Sequence, residues 1–97
     1  PLQQIAGTGS EYTISFDKPT SINRVVIQED ISKGERTLKY LLKGKKENEW
    51  IELSSGSSIG HKHINRFDSQ TVEAIKLVVT ESKADPQIIN FSVFETL

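Results

Sequence analysis

The chain has 97 residues, of which 35% are hydrophobic and 26% are charged, and its formal net charge is -1. This length suits one domain with one core, and the balanced charge gives no general attraction to nucleic acid or anionic membranes. Because it has no cysteine, the chain cannot form a disulfide, a thiolate zinc site or a cysteine nucleophile. No apolar run approaches the roughly 20 residues that a membrane-spanning helix needs.

Seven segments alternate apolar and polar residues, which predicts short β-strands. Glycine, proline, serine and charged residues separate them, as is typical of turns. In chain order the predicted strands are EYTISF (11–16), INRVVIQED (22–30), ERTLKYLLKG (35–44), WIEL (50–53), IGHKHINRF (59–67), TVEAIKLVVTE (71–81) and IINFSVFE (88–95). No stretch sustains a helical period.

The short connections favour antiparallel pairing, so the predicted fold is all-β: an antiparallel β-sandwich of about seven to eight strands. Residues 1–10 lack the alternation and predict a linker or N-terminal tail, followed by a sandwich domain over residues 11–97. The single tryptophan, Trp50, opens an apolar strand and is predicted to pack in the core. The other residues predicted to face inward are Tyr12, Ile14, Phe16, Val25, Ile27, Leu38, Tyr40, Leu42, Ile75, Leu77, Val79, Ile89, Phe91 and Val93.

Two histidines stand one residue apart in IGHKHINRF. On a regular strand His61 and His63 would share a face and could bind one metal ion, with Asp68 or Glu73 completing the ligand set. A bulge near Gly60 would change which face each histidine occupies. We favour the simpler interpretation, in which two partly exposed imidazoles lie on a strand edge and bind no metal.

The acidic residues do not predict catalysis. Glu29 and Asp30 are adjacent, so they point to opposite faces of a strand, whereas glycosidases hold two carboxyl groups about 5 to 10 Å apart across one bond. The sequence contains no serine triad, phosphate-binding glycine loop or nucleotide fingerprint. Nothing therefore indicates a reaction performed by this chain.

A third set of polar residues suits sugars, whose hydroxyls are bound by carboxylates, guanidinium groups and imidazoles. Glu29, Asp30 and Arg36 flank the loop QEDISKGER, and His61 and Arg66 lie in a later strand. These five are the candidate carbohydrate-binding residues. The alternative is an ion pair within the loop, between Arg36 and either acid.

The long segment INRVVIQEDISKGERTLKYLLKGKKENEWIELSSGSSIGHKHINRF, followed by IKLVVTESKADPQIINFSVFE, resembles the discoidin-like modules, also called coagulation factor five/eight type C domains. It is most similar to the module at the carboxyl end of α-L-fucosidases of glycoside hydrolase family 29. Three residues, Glu35, His61 and Lys83, stand where that family usually has glutamine, tyrosine and arginine. The positions that match are Glu29, Gly34, Arg36, Gly60, Lys62, Arg66, Glu81, Ser82 and Pro86.

This resemblance implies a jelly-roll β-sandwich, similar to carbohydrate-binding module family 32 and attached to a catalytic (β/α)8 barrel. It implies a noncatalytic accessory domain of a secreted or periplasmic enzyme, which binds fucose- or galactose-containing glycans weakly or packs against the barrel. No cofactor is predicted. Modules of this family commonly carry a structural calcium, which stays an open alternative, but the segment that binds it cannot be assigned in this sequence. The alternative function is a free-standing adhesion or protein-binding discoidin domain.

Overall fold

The computed structural model describes residues 3–30, 32, 37–57, 59 and 62–95. These residues form an all-β structure, and among them there is no helix of the length and apolarity needed to cross a membrane. One sheet contains all six strands in the order β1-β6-β2-β5-β3-β4, and every neighbouring pair is antiparallel. The strands are β1 (Gln3–Thr8), β2 (Glu11–Glu29), β3 (Thr37–Lys46), β4 (Glu49–Gly56), β5 (His63–Ser82) and β6 (Gln87–Phe94).

The number of strands differs from the prediction because two pairs of predicted segments are continuous. EYTISF and INRVVIQED both belong to β2, while IGHKHINRF and TVEAIKLVVTE both belong to β5. The turn residues between them do not reverse the chain. Instead, the pairing of β2 with β5 is interrupted between Ser15 and Thr20, and then resumes in the same direction. Such a register shift bends both strands without ending them.

Each half of the two long strands has a different outer neighbour. The Arg24–Glu29 half of β2 pairs with β6, whereas the Ala74–Ser82 half of β5 pairs with β3. The six strands thus form one bent antiparallel sheet among the described residues, in place of the seven to eight strands predicted.

The segment predicted as a linker contains a strand. Gln3–Thr8 pairs with β6 as an edge strand of the sheet. The Tyr12 hydroxyl donates a hydrogen bond to the carbonyl of Gly9 at 2.8 Å, and the Val79 N–H donates to the carbonyl of Ser10 at 2.7 Å. Backbone pairing of β1 with β6 requires no alternation of side chains, so the side-chain pattern did not predict this strand.

The core confirms most of the predicted inward positions. Val25, Ile27, Leu42, Ile75 and Leu77 are completely buried. Six more predicted positions are buried: Tyr12, Ile14, Tyr40, Val79, Phe91 and Val93. Phe16 is half-buried and packs against the core.

Ile89 was predicted to face inward, and this prediction is wrong. Its side chain is 52% exposed, and its neighbour Ile88 takes the core position at 2% exposure. The pairing of β2 with β6 shifts register between Gln28 and Glu29, which changes the faces of the residues beyond the shift.

Candidate functional site

Glu29 ends β2 and lies inside the protein, where 1% of the residue is exposed. Its Oε2 accepts a hydrogen bond from the backbone N–H of Thr37 at 3.0 Å and another from the Thr37 hydroxyl at 2.8 Å. Thr37 begins β3, so this carboxylate joins the two ends of the segment 30–36. The geometry gives Glu29 the role of holding the loop, with its bonded oxygen directed away from solvent.

Asp30 is half-exposed and opens the same segment. Its backbone N–H donates to the carbonyl of Gln87 at 2.8 Å, and its Oδ1 accepts from the N–H of Ser32 at 2.9 Å. A carboxylate that accepts the N–H two residues ahead forms an Asx turn, which fixes the start of the loop. Arg36 and His61, two of the predicted sugar-binding residues, lie outside the described residues.

Arg66 is exposed but lies far from that loop. Its Cα pairs with that of Arg24, and Arg24 precedes Glu29 by five residues on β2. At about 3.3 Å per residue, this places Arg66 roughly 17 Å away along the strand. The structure therefore brings Glu29 and Asp30 together and separates Arg66 from both.

His63 begins β5 and faces the interior, opposite the buried Ile27. Its ring meets the Tyr40 ring edge-on, with centroids 6.0 Å apart at an angle of 74°. In the part of the chain that the structure describes, no three His, Cys, Asp or Glu side chains are grouped to hold a metal ion. The predicted pairing of His63 with His61 concerns a residue outside that part.

A cleft of about 340 Å³ is lined by residues of three adjacent strands, β5, β3 and β4. Its lining combines polar and apolar residues: Lys39, Tyr40, Leu41, Ser55, Gly56, Ser57 and Thr80. The Lys39 ammonium lies 3.6 Å from a carboxylate oxygen of Glu81. Because Lys39 follows Thr37 by two residues, this cleft lies at the same end of the sheet as Glu29 and Thr37.

Trp50 was predicted to be a core residue, and this is wrong, because 36% of it is exposed. It lies on the edge strand β4 opposite Lys45, and the Lys76 ammonium lies 4.3 Å from its ring centroid. Lys76 also lies 3.7 Å from Glu11. The charged neighbours in KKENEWIE were the sequence signal for an outer-face tryptophan.

Sequence reasoning missed a second cleft, which has a volume of about 300 Å³. It is lined by Asn23, Arg24, Arg66 and Phe67, and the Arg24 guanidinium carbon lies 4.3 Å from the centroid of the Phe94 ring. The sequence could not reveal it because Arg24 and Arg66 are distant in the chain and meet only through the pairing of β2 with β5.

No protein-family model matches this sequence. It is 30% identical over 87 residues to "Putative alpha-L-fucosidase 1" of Oryza sativa subsp. japonica, and 34% identical over 79 residues to "Alpha-L-fucosidase 1" of Arabidopsis thaliana. These alignments cover 88% and 77% of this chain, but only 17% and 15% of the two relatives. The chain is homologous to a region of α-L-fucosidases and spans about a sixth of their length.

A comparison with solved structures also matches this chain to part of an α-L-fucosidase. A protein described as a "putative alpha-L-fucosidase" from Bacteroides thetaiotaomicron matches with a TM-score of 0.97 and 37% identity, over 100% of this chain and 22% of that one. A chitosan-binding module from a Paenibacillus sp. IK-5 chitosanase/glucanase, solved with chitotriose, matches with a TM-score of 0.73, over 94% of this chain and 76% of that one. At 13% identity, the second likeness shows the fold alone.

Proposed function

We propose that this chain is a noncatalytic accessory domain of an exported α-L-fucosidase of glycoside hydrolase family 29, and that it binds carbohydrate weakly. The observation that carries the proposal is the coverage of the alignments. A match over most of this chain accounts for less than a fifth of the plant relatives, so the region is a small part of those proteins.

The acids near the loop support a noncatalytic role. A glycosidase needs one carboxyl group to donate a proton and a second to act as nucleophile or base, with both facing the scissile bond. One oxygen of Glu29 is engaged by Thr37 inside the protein, and Asp30 accepts a hydrogen bond within its own turn. Neither arrangement presents a pair of carboxyl groups to a glycosidic bond.

The end of the sheet that contains the loop and the 340 Å³ cleft is the proposed sugar site. Serine and threonine hydroxyls both donate and accept hydrogen bonds, as sugar hydroxyls require, and Lys39 adds a donor. Asp30, Arg36 and His61 remain predicted sugar contacts, and Glu29 supports this end of the sheet through its hydrogen bonds with Thr37. The bend of β2 and β5, together with the likeness to the chitosan-binding module, supports a discoidin-like jelly-roll sandwich as the finer description of the fold.

A titration of the isotope-labelled chain tests the sugar site. Fucose, galactose and oligosaccharides containing them, added to millimolar concentration, should shift the amide resonances of Ser55, Ser57 and Thr80. Lys39→Ala should weaken these shifts, whereas Lys43→Ala, on the same strand but outside the cleft lining, should preserve them. If no neutral sugar moves any resonance at this end, the proposed sugar site there is wrong.

A second role within the same enzyme is packing against the catalytic barrel. Large apolar side chains are exposed on several strands, including Ile51 at 37% and Ile64 at 39%. Contact with a neighbouring domain would remove this surface from water. Deleting this domain from the longer enzyme should then lower the melting temperature of the catalytic domain, and an unchanged value would exclude the packing role.

A natural reading frame without a catalytic domain would instead favour the alternative function, a free-standing adhesion or protein-binding domain.

A further inference from the structure

We propose that the cleft between Arg24 and Arg66 binds the carboxylate of an acidic sugar, such as a uronic acid residue of a glycan. This inference rests on the proposed carbohydrate-binding function and adds to it a second site with a different ligand class. The cleft lies on the outer face of the sheet, roughly 17 Å along β2 from Glu29 at about 3.3 Å per residue. The two sites can therefore be tested separately.

The first observation is the position of the two arginines. Arg24 and Arg66 are direct partners in the antiparallel pairing of β2 with β5, so their side chains leave the same face of the sheet. Like charges placed directly opposite each other destabilise a sheet. None of the ion pairs among the described residues involves either guanidinium group. An anion between the two groups would convert this repulsion into attraction.

The second observation concerns the hydrogen-bonding state of Arg24. Its Nε is buried and has no hydrogen-bond acceptor among the described residues. A buried donor without an acceptor is unfavourable, and the penalty is removed when a ligand oxygen reaches it. The Phe94 ring, 4.3 Å from the guanidinium carbon, restricts the side chain and so limits the entropy lost when a ligand binds.

The third observation is the shape and chemistry of the cleft. Its volume of about 300 Å³ is at the small end of the range for ligand sites. A guanidinium group presents parallel N–H donors that match the two oxygens of a carboxylate, which favours this group over a neutral hydroxyl. Phe67 and Asn23 complete the lining of the cleft.

The test compares three ligands on the isotope-labelled chain at constant ionic strength: D-glucuronate, D-glucose and acetate. D-Glucuronate should shift the side-chain Nε–H resonances of Arg24 and Arg66, and glucose should not. Acetate should bind more weakly than glucuronate, because it lacks the sugar ring. Equal binding of acetate and glucuronate would overturn the acidic-sugar assignment and indicate a carboxylate from a protein side chain as the natural ligand.

Variants separate this site from general charge effects. Arg66→Gln should lower the affinity for glucuronate about tenfold, since it removes a charge-assisted pair of hydrogen bonds at an exposed position where folding is not at risk. Lys18→Gln removes the same charge at an exposed residue outside the cleft lining and should leave the affinity unchanged. Equal loss in both variants would show that net charge alone attracts the ligand, and the proposal would then be wrong.

The two carbohydrate proposals can fail independently. If glucuronate binds at Arg66 while neutral sugars cause no shift near Thr80, the loop-end site is wrong and the arginine cleft stands. If neutral sugars shift Thr80 and glucuronate leaves Arg24 and Arg66 unmoved, the arginine cleft is wrong and the loop-end site stands.

Discussion

The side-chain amide of Asn65 on β5 donates a hydrogen bond from Nδ2 to the hydroxyl of Tyr40 on β3, with 3.0 Å between the two atoms. The Asn65 oxygen also accepts a hydrogen bond from the Ser54 hydroxyl on β4, at 3.0 Å. Asn65 and Tyr40 are 7% and 1% exposed. One polar side chain thus connects three strands within the core, and it explains how an amide occupies an inward position on β5.

Replacing Asn65 with alanine should destabilise the fold by about 1–3 kcal/mol, because the Tyr40 hydroxyl is then buried without its partner. Adding Tyr40→Phe should recover part of that loss, since the unsatisfied hydroxyl is removed. Urea unfolding of the two single variants and the double variant measures the coupling between the residues. Strictly additive losses would contradict the proposed pairing.

Stability should also fall at alkaline pH. Burial raises the pKa of Tyr40 above 10.0, despite the opposing hydrogen bond from Asn65, and burial likewise raises the pKa of Tyr12. Above about pH 10 the unfolded chain loses these phenol protons while the folded chain keeps them, so the free energy of unfolding falls until the folded pKa is passed. Urea unfolding at a series of pH values from 8 upward should show this fall. Tyr40→Phe should make the free energy of unfolding fall less steeply with pH. An unchanged slope would show that the raised pKa of Tyr40 does not contribute to the fall.

The regular strands were predictable from the sequence because their burial follows the alternation of side chains. Val25 and Ile27 face inward as expected, and so do Ile75 and Leu77. The alternation of apolar and polar residues did not predict burial where a polar side chain is hydrogen-bonded in the core. Asn65 faces the core, so its apolar neighbour Ile64 faces outward and is 39% exposed. Hydrophobicity alone could not predict this, since the outcome depends on Tyr40 and Ser54 in other strands.

The candidate site was predictable only in part. The sequence placed Glu29 and Asp30 together at the end of a strand, as the structure does. It could not show that Thr37 would donate hydrogen bonds to Glu29, because the two residues are eight positions apart in the chain. Nor could it show which charges meet across the sheet, since the register that pairs Arg24 with Arg66 is set by the bulges of β2 and β5.

Glu29→Ala should destabilise the fold by about 1–3 kcal/mol, because the Thr37 N–H and hydroxyl lose their hydrogen-bond acceptor inside the protein. Glu81→Ala provides the matched control. That carboxylate is about half exposed and forms an ion pair with the exposed Lys39, so its loss should change stability by no more than about 0.5 kcal/mol. Chemical denaturation of both variants measures the difference. Equal effects would show that Glu29 does not hold the loop.

Gly56 lies so close to the Tyr40 side chain that there is no room for a methyl group at this position. A Cβ atom at this position would lie 2.6 Å from the Tyr40 hydroxyl oxygen, and Tyr40 is held in the core. Gly56→Ala should therefore cost about 1–3 kcal/mol of stability, as overpacking does. Gly7→Ala is the control, because its Cβ would lie 3.4 Å from the Tyr12 ring, an ordinary contact. If thermal melts show the same loss for both variants, the close contact is not the cause.

The exposed ring of Trp50 gives a direct optical test of the outer face. Since Trp50 is the single tryptophan, the fluorescence of the folded chain comes from a ring that is partly in water and lies beside the Lys76 ammonium. Its emission should be quenched by iodide, which the ammonium attracts, more strongly than by caesium. Lys76→Gln should reduce the iodide effect and leave quenching by neutral acrylamide nearly unchanged. Trp50→Ala should cost less than the about 3–5 kcal/mol typical of a buried tryptophan, because the ring is not enclosed by the core. Poor quenching by all three agents would place the ring inside the protein and contradict the position found on β4.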